Sequence, residues 1–334
     1  MPDSPVRGRF APSPTGLLHV GSARTALAAW LSVRSQGGAF VWRLEDLDPP
    51  RTVAGTAEAA LNDLRWLGLD WDEGPAAGNG PDGGPHAPYA QSERSAYYEA
   101  ALDQLAASGR LFPCRVSRRD LREIASAPHG HEGLPPYPLS LRPDTLPPDW
   151  LARLRARADP DAALRFRVTD DEVTFADRVQ GTVTERVGET TGDFVLKRRD
   201  GLWAYQLAVV VDDLAMQITE VVRGADLLDS TARQIQLIRA LGGDVPAYAH
   251  LPLAVNADGE KLSKRDEALT LRSLRDAGVA PEALVGALAY SLSLLDAPEP
   301  IPTQALVARF AWPRITPEPW RVPDDFARLL RRTG

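Results

Sequence analysis

The 334-residue chain exceeds one average domain, and its 44% apolar and 25% charged residues are those of an ordinary soluble globular protein. A net charge of −7 excludes a simple nucleic-acid coat but leaves room for a local basic face, and the lone Cys114 excludes an internal disulfide and fits a reducing compartment. No apolar run is long enough to cross a membrane and the N-terminus carries no signal-peptide pattern, so a cytoplasmic protein is expected.

The first element is Arg9-Phe-Ala-Pro-Ser-Pro-Thr-Gly-Leu-Leu-His-Val-Gly-Ser22, a short strand running through a proline-rich loop into a helix expected to start at Ser22. Leu27, Trp30, Leu31 and Arg34 follow at helical spacing. A strand, a tight loop and a helix N-terminus place backbone amides and a positive dipole end together, which suits a phosphate. His19 arrives just ahead of Gly21, whose missing side chain permits close backbone approach. Ala39–Leu44 reads as a buried strand ending in Glu45, Asp46 and Asp48, where ligands bind in open α/β sheets. Helices are expected over Ala57–Leu67 and from Glu93 to Ala107, with Ser117 and Asp120 opening another.

Between Leu164 and Val187 the pattern changes to short alternating strands, which suggests a small α+β module inserted between βα units. The α/β character returns at Phe194–Lys197. Tyr205–Val211 and Gln217–Val222 read as buried strands, Ser230–Leu241 as a helix, and the chain from Leu271 as mainly helical. The expected architecture is therefore α/β: a doubly wound parallel sheet split by a small α+β insertion and followed by a mainly helical C-terminal region. The expected boundaries are 1–110 and 193–245 for the two halves of the α/β domain, 111–192 for the insertion and 246–334 for the remainder.

Lys261-Leu-Ser-Lys-Arg265 offers two ammonium groups and a hydroxyl on a loop, able to follow charge onto a triphosphate as pyrophosphate leaves. Taken alone it is a solvated basic loop; its weight comes from its pairing with the opening stretch. Glu45, Tyr205 and Arg223 fall at or near strand ends, and with Arg9 they supply one negative and two positive groups. That set suits an amino acid bearing a second carboxylate. Cys114 has no second cysteine near it, and His129, His131 and Tyr137 do not complete the roughly four ligands of a zinc site.

The opening stretch resembles the first signature of class I glutamyl-tRNA synthetases, and Lys261–Arg265 resembles their second. Arg43–Arg51, Tyr205–Asp213 and Val222–Leu228 also match, in order, so the resemblance spans about residues 7–270. It implies a Rossmann-like domain split by an acceptor-end insertion. Carried over by position, Arg9, Ala11, Ser13, Glu45, Tyr205 and Arg223 would bind L-glutamate. His19, Gly21, Lys261, Ser263 and Lys264 would bind ATP, with His19 and Lys264 as the catalytic groups and Mg²⁺ on the phosphates. Two features depart from the family pattern. Ser22 stands where many class I enzymes have histidine. Of the zinc ligands found in many members, Cys114 and Tyr137 are present but Val116 and Leu141 replace the other two, so no zinc is expected and the insertion should be held by its own packing.

The short stretch after Arg265, Val222–Thr231 and the ending Phe310-Ala-Trp-Pro313 resemble the shorter glutamyl-queuosine tRNA(Asp) synthetases. These activate glutamate with ATP and transfer it to the queuosine base at the wobble position of tRNA(Asp). The resemblance implies a monomer that meets the anticodon loop of tRNA(Asp) with its catalytic pocket, without an anticodon-binding domain or a membrane partner. Two alternatives stay open at this point: a minimal glutamyl-tRNA synthetase charging a 3′ end, and a non-catalytic paralogue that binds tRNA or glutamate.

Overall fold

The computed structural model describes residues 5–75, 77, 83–116, 136–157, 162–262 and 267–333. From the N-terminus, β1 (Arg7–Phe10) leads to α1 (Val20–Ser35), then β2 (Ala39–Trp42), α2 (Thr56–Trp66) and α3 (Ser95–Ala107). Next come β3 (Leu111–Cys114), α4 (Trp150–Arg157), β4 (Ala163–Phe166), β5 (Val173–Asp177), β6 (Gly181–Glu185) and the one-turn α5 (Val187–Thr190). They are followed by β7 (Phe194–Lys197), α6 (Tyr205–Ala215), β8 (Glu220–Gly224), α7 (Thr231–Ala240), β9 (Ala247–Leu251) and β10 (Ala254–Val255). The chain ends with α8 (Leu271–Asp276), α9 (Pro281–Ser291), β11 (Trp320–Arg321) and α10 (Phe326–Thr333).

The large sheet has the order β2-β1-β8-β9-β5-β6. Every neighbouring pair is parallel except β5 with β6, which forms an antiparallel edge. Adjacent residues in its strands enter different cores, as alternation requires. Phe40, Trp42, Val222 and Ala249 pack with α1 and α9 on one face, whereas Val41, Val221 and Tyr248 pack with α3, α6 and α7 on the other. The sheet is thus doubly wound, as expected. Gly8 in β1 allows the closest approach of α1, since a Cβ there would lie 2.5 Å from Val33 Cγ2.

Three local expectations are corrected. Helix α1 starts at Val20, because extended His19 is its N-cap and accepts from the Gly21 and Ser22 amides through its own ring. Tyr205–Val211 is the start of helix α6, not a strand. Leu207 to Asp213 are buried without a break, so no exposed face remains to print a helical period, and three successive valines mimic a strand. The strand memberships also differ: β5 and β6, read with the small module, extend the large sheet, whereas Phe194–Lys197 joins the small antiparallel sheet β3-β4-β7.

That small sheet does not stand on its own packing alone. Leu111, Leu164, Phe166, Phe194 and Leu196 share the core of α3, α6 and α7, and only its other side holds a separate cluster of Phe112, Cys114 and Tyr137. The proposed helix start at Ser117 and Asp120 lies outside the described residues. Chain beyond the second signature buttresses the first: Leu271 N–H donates to Leu18 C=O, and β11 pairs with β10. Buried Arg24 of α1 donates to Ser291 and to the Pro252 carbonyl.

Candidate active site

The sheet changes direction of progression at β1: β2 lies on one side and β8 on the other. In open α/β sheets ligands bind outside the carboxyl ends of the strands at such a point. A cavity of about 760 Å³ opens there. Its walls include Arg9, Ala11 and Ser13 from β1 and the loop after it, His19 and Gly21 from the start of α1, and Glu45 from the end of β2. Tyr205 from the first turn of α6, Arg223 from β8 and Lys261 complete the set. Residues separated by more than 200 positions are thereby brought together. Ser263 and Lys264 lie outside the described residues.

At the end of the cavity beside α1, the amides at the helix start are not free. His19 Nδ1 accepts from Gly21 N–H at 3.1 Å and Ser22 N–H at 3.4 Å. A nitrogen that accepts carries no proton, so in the neutral ring the proton sits on Nε2 as a donor. Gly21 serves this geometry, because a Cβ there would meet the His19 ring at 3.0 Å and Ala254 Cβ at 3.2 Å. The missing side chain of Gly21 thus leaves room for the imidazole, and Gly21 itself lines the cavity. Lys261 Nζ pairs with Asp226 Oδ2 at 2.5 Å, and Leu262 is buried against the α1 core. After the intervening residues the chain returns at Thr270, which bridges to His19. The described start of the second signature, and the chain that follows it at Thr270, are anchored beside the first.

At the other end sits a charge cluster. Arg43, fully buried, reaches Asp213 at 2.7 Å, Glu45 at 3.1 Å and Asp212 at 3.9 Å. Arg9 Nε pairs with Asp213 at 3.4 Å and its Nη1 donates to Val222 C=O. Asp212 is also held by Arg94, Gln91 and Tyr98. Burial pushes the Glu45 carboxyl above its ordinary value, with Arg43 and Arg9 opposing. Burial also opposes ionisation of Asp213, but Arg43 and Arg9 outweigh it and hold that carboxyl below the usual range. Burial raises the Tyr205 phenol, so it stays a neutral hydroxyl. Arg223 donates through Nε to His250 and through Nη2 to Thr231.

Sequence reasoning missed Arg43, Asp212, Asp213, His250 and Asp177. A signal existed for the first three: an arginine inside a buried strand and a paired aspartate after an apolar run. A second cavity of about 910 Å³ lies between this site and the small sheet, lined by Arg165, Arg199, Trp203 and Arg233 among others. Both cavities have Ser13, Glu45 and Tyr205 in their walls.

A family model for class I tRNA synthetases (E and Q), catalytic domain, matches residues 5–292. The chain belongs to this family. It is 52% identical to a glutamyl-Q tRNA(Asp) synthetase of Symbiobacterium thermophilum, over 97% of this chain and 98% of the relative. A glutamyl-Q tRNA(Asp) synthetase of Nitratidesulfovibrio vulgaris is 42% identical over 98% of both chains. Among solved structures, a glutamate tRNA ligase from Elizabethkingia meningosepticum in complex with its amino acid superposes with a TM-score of 0.82 at 30% identity, over 98% of this chain and 69% of that one. Membership of this class I family makes the chain a ligase-type enzyme that uses ATP.

Zinc, which many members of the synthetase family carry, does not fit the side chains present. Cys114 Sγ lies 3.5 Å from Tyr137 Oη, and Tyr137 donates to the Leu141 carbonyl at 3.2 Å. Val116 and Leu141 present hydrocarbon where a metal needs donor atoms. Among the described residues no cluster of three or more His, Cys, Asp or Glu is placed to hold a metal ion. No helix of the described residues is long and apolar enough to cross a membrane.

Proposed function

We propose that the chain activates L-glutamate with ATP and transfers it to the queuosine base at the wobble position of tRNA(Asp). The observation that carries this reading is the meeting of two cavities at Ser13, Glu45 and Tyr205. One cavity has the inventory for an amino acid and a nucleotide, and the other opens from the same three residues as a partly aromatic chamber of mixed charge, with room for an acceptor nucleoside. The relatives matched along nearly their whole length carry the corresponding name.

In the first step an oxygen of the glutamate α-carboxylate attacks the α-phosphorus of ATP. The bond from that phosphorus to the bridging oxygen breaks, and pyrophosphate leaves with the bonding electrons. Glu45 holds the substrate ammonium, while Arg9 and Arg223 take carboxylate charge and the neutral Tyr205 hydroxyl donates or accepts beside them. Ala11 and Ser13 line the strand side of that pocket. The Nε2 proton of His19 donates to phosphate oxygens, and Lys261, Ser263 and Lys264 follow the charge onto the departing pyrophosphate. Mg²⁺ carried on the nucleotide offsets phosphate charge. In the second step a queuosine hydroxyl attacks the activated carbonyl, AMP leaves, and an ester forms. Catalysis rests on positioning, without a covalent enzyme intermediate. The enzyme works as a cytoplasmic monomer, where its tRNA and ATP are.

Two assays test this. Glutamate-dependent exchange of pyrophosphate into ATP reads the first step, and its absence at high enzyme concentration overturns the assignment as a catalyst. Transfer of labelled glutamate is then compared on tRNA(Asp) with and without queuosine and on tRNA(Glu). Labelling of queuosine-containing tRNA(Asp) alone is expected; charging of unmodified tRNA(Glu) overturns the choice of acceptor.

A further inference from the structure

Behind Arg223, on the side away from the cavity, lies a fully buried chain of polar groups. Arg223 Nε is 2.9 Å from His250 Nε2, and His250 Nδ1 is 2.6 Å from Asp177 Oδ2. The side chains of His250 and Asp177 are wholly excluded from solvent. An arginine Nε always donates, so His250 Nε2 must be the bare acceptor and its proton must sit on Nδ1, donated to Asp177. Thr231 fits the same bookkeeping: its oxygen accepts from Arg223 Nη2 at 2.8 Å, and its own proton shares the His250 Nε2 lone pair with Arg223 Nε in a three-centre contact at 3.1 Å. Asp177 is fixed in turn, since Oδ1 accepts the backbone amides of Val179 and Gln180, and the His250 amide reaches both oxygens. Tyr248 stacks on His250 and lies under the Arg223 guanidinium.

We propose that Asp177, His250 and Thr231 are positioning residues that lock two of the three guanidinium nitrogens of Arg223, leaving Nη1 aimed for the carboxylate of the amino acid. The proposal rests on the reading of Arg223 as a glutamate-binding residue. Among the described residues no hydrogen-bond partner is recorded for Nη1, while Arg223 itself lines the cavity. Burial lowers the His250 pKa against the opposing pull of Asp177, consistent with the neutral ring that the hydrogen-bond pattern requires. These residues touch no substrate. They set amino-acid affinity by holding a fork of fixed geometry, which costs the arginine no ordering when substrate arrives.

Asp177→Asn is the informative variant. The amide oxygen can keep the Val179 and Gln180 contacts while the NH₂ faces His250 Nδ1. The ring proton is then driven to Nε2, against the Arg223 N–H. In pyrophosphate exchange, Asp177→Asn and Thr231→Val should each raise KM for glutamate about tenfold or more with KM for ATP changed less than about twofold. Thr231→Ser, which keeps the hydroxyl, should stay near wild type. If Asp177→Asn fails to fold, the Thr231 pair decides alone. Glutamate KM values unchanged in Asp177→Asn and Thr231→Val, alongside a raised value in Arg223→Ala, overturn the positioning role. An unchanged value in Arg223→Ala overturns the reading of Arg223 itself, and the proposal with it.

Discussion

Replacing Glu45 by Gln separates the charge of this residue from its packing. Glu45 Oε1 accepts from Arg43 Nη2 at 3.1 Å, and a glutamine carbonyl can accept the same bond. What the variant loses is the negative charge for the substrate ammonium. A hydrogen bond to a charged group contributes about 1.5–3 kcal/mol, and about 1.4 kcal/mol corresponds to tenfold. The glutamate KM should therefore rise roughly 10- to 100-fold, with KM for ATP unchanged. Burial raises the Glu45 pKa in the folded state, so the folded protein binds this proton more tightly than the unfolded chain does. The ionised side chain then costs stability at neutral pH, and a neutral amide should leave the melting temperature equal or higher. The same sign makes wild-type glutamate affinity fall on acidification from neutrality, starting above the ordinary carboxylate range, and Glu45→Gln should flatten that loss. The assay is pyrophosphate exchange across glutamate concentration and pH, with thermal melting in parallel. A KM for glutamate within about twofold of wild type would refute the ammonium role, because it is well under the effect of one charged hydrogen bond.

Arg43→Gln should act on stability first, since it removes the ion pair of buried Glu45 and one of the two held by Asp213. Breaking a buried pair costs about 3–5 kcal/mol; with about 2.1 cal/mol/K of unfolding entropy per residue, the 334-residue chain should melt roughly 4–7 °C lower by calorimetry, and an unchanged melt contradicts the cluster's role. Asp63 of α2 is buried with neither oxygen hydrogen-bonded, its nearest cation being Arg275 at 3.5 Å, and burial pushes its carboxyl up to about 6. Its folded pKa lies above its unfolded one, so its penalty is full above pH 6 and fades as pH falls towards 4. Asp63→Asn should exceed wild type by about 1–3 kcal/mol in urea unfolding at pH 8, with the gap closing on acidification; a constant gap contradicts the titration. His19→Asn keeps a good N-cap and loses the Nε2 donor, so the pyrophosphate exchange rate should fall about 100-fold or more with the melt nearly unchanged. A large stability loss with normal exchange would make His19 a cap alone.

The first signature was readable because its parts are local: a strand, a glycine-bearing loop and a helix, with chemistry carried by residues within 14 positions of one another. The carboxylate at the end of β2 was readable for the same reason. Helix α6 was not, since burial on all sides erases the period that marks a helix, and its valines favour the strand reading. Sheet membership was hidden for a different reason. Whether Val173–Asp177 pairs with Ala163–Phe166 nearby or with Ala247–Leu251 some 70 residues later depends on where the chain has already placed β9, and no local pattern records that. His250 was hidden by its neighbours, because Ala-Tyr-Ala-His-Leu alternates like any core strand.

The misread helix is also the element that makes the site rigid. Tyr205 stands in its first turn and Asp212 and Asp213 near its end, so one helix supplies a hydroxyl-bearing residue in the cavity wall and the anchors of the arginines behind it. Asp212 takes Arg94 and Asp213 takes Arg9 and Arg43, while Glu45 takes the remaining arm of Arg43. Three guanidiniums thus meet three carboxylates, and Arg223 has its own counter-charge in Asp177 through His250. Such a cluster is costly to desolvate and gains little net stability over an apolar core. Its return is preorganisation: the charges around the cavity are already held by one another, so a ligand that enters need not reorganise them. Apolar packing could have filled the same volume, but it could not have held the opposite charges of Arg9 and Glu45 in the wall of one cavity, on β1 and just beyond the neighbouring β2.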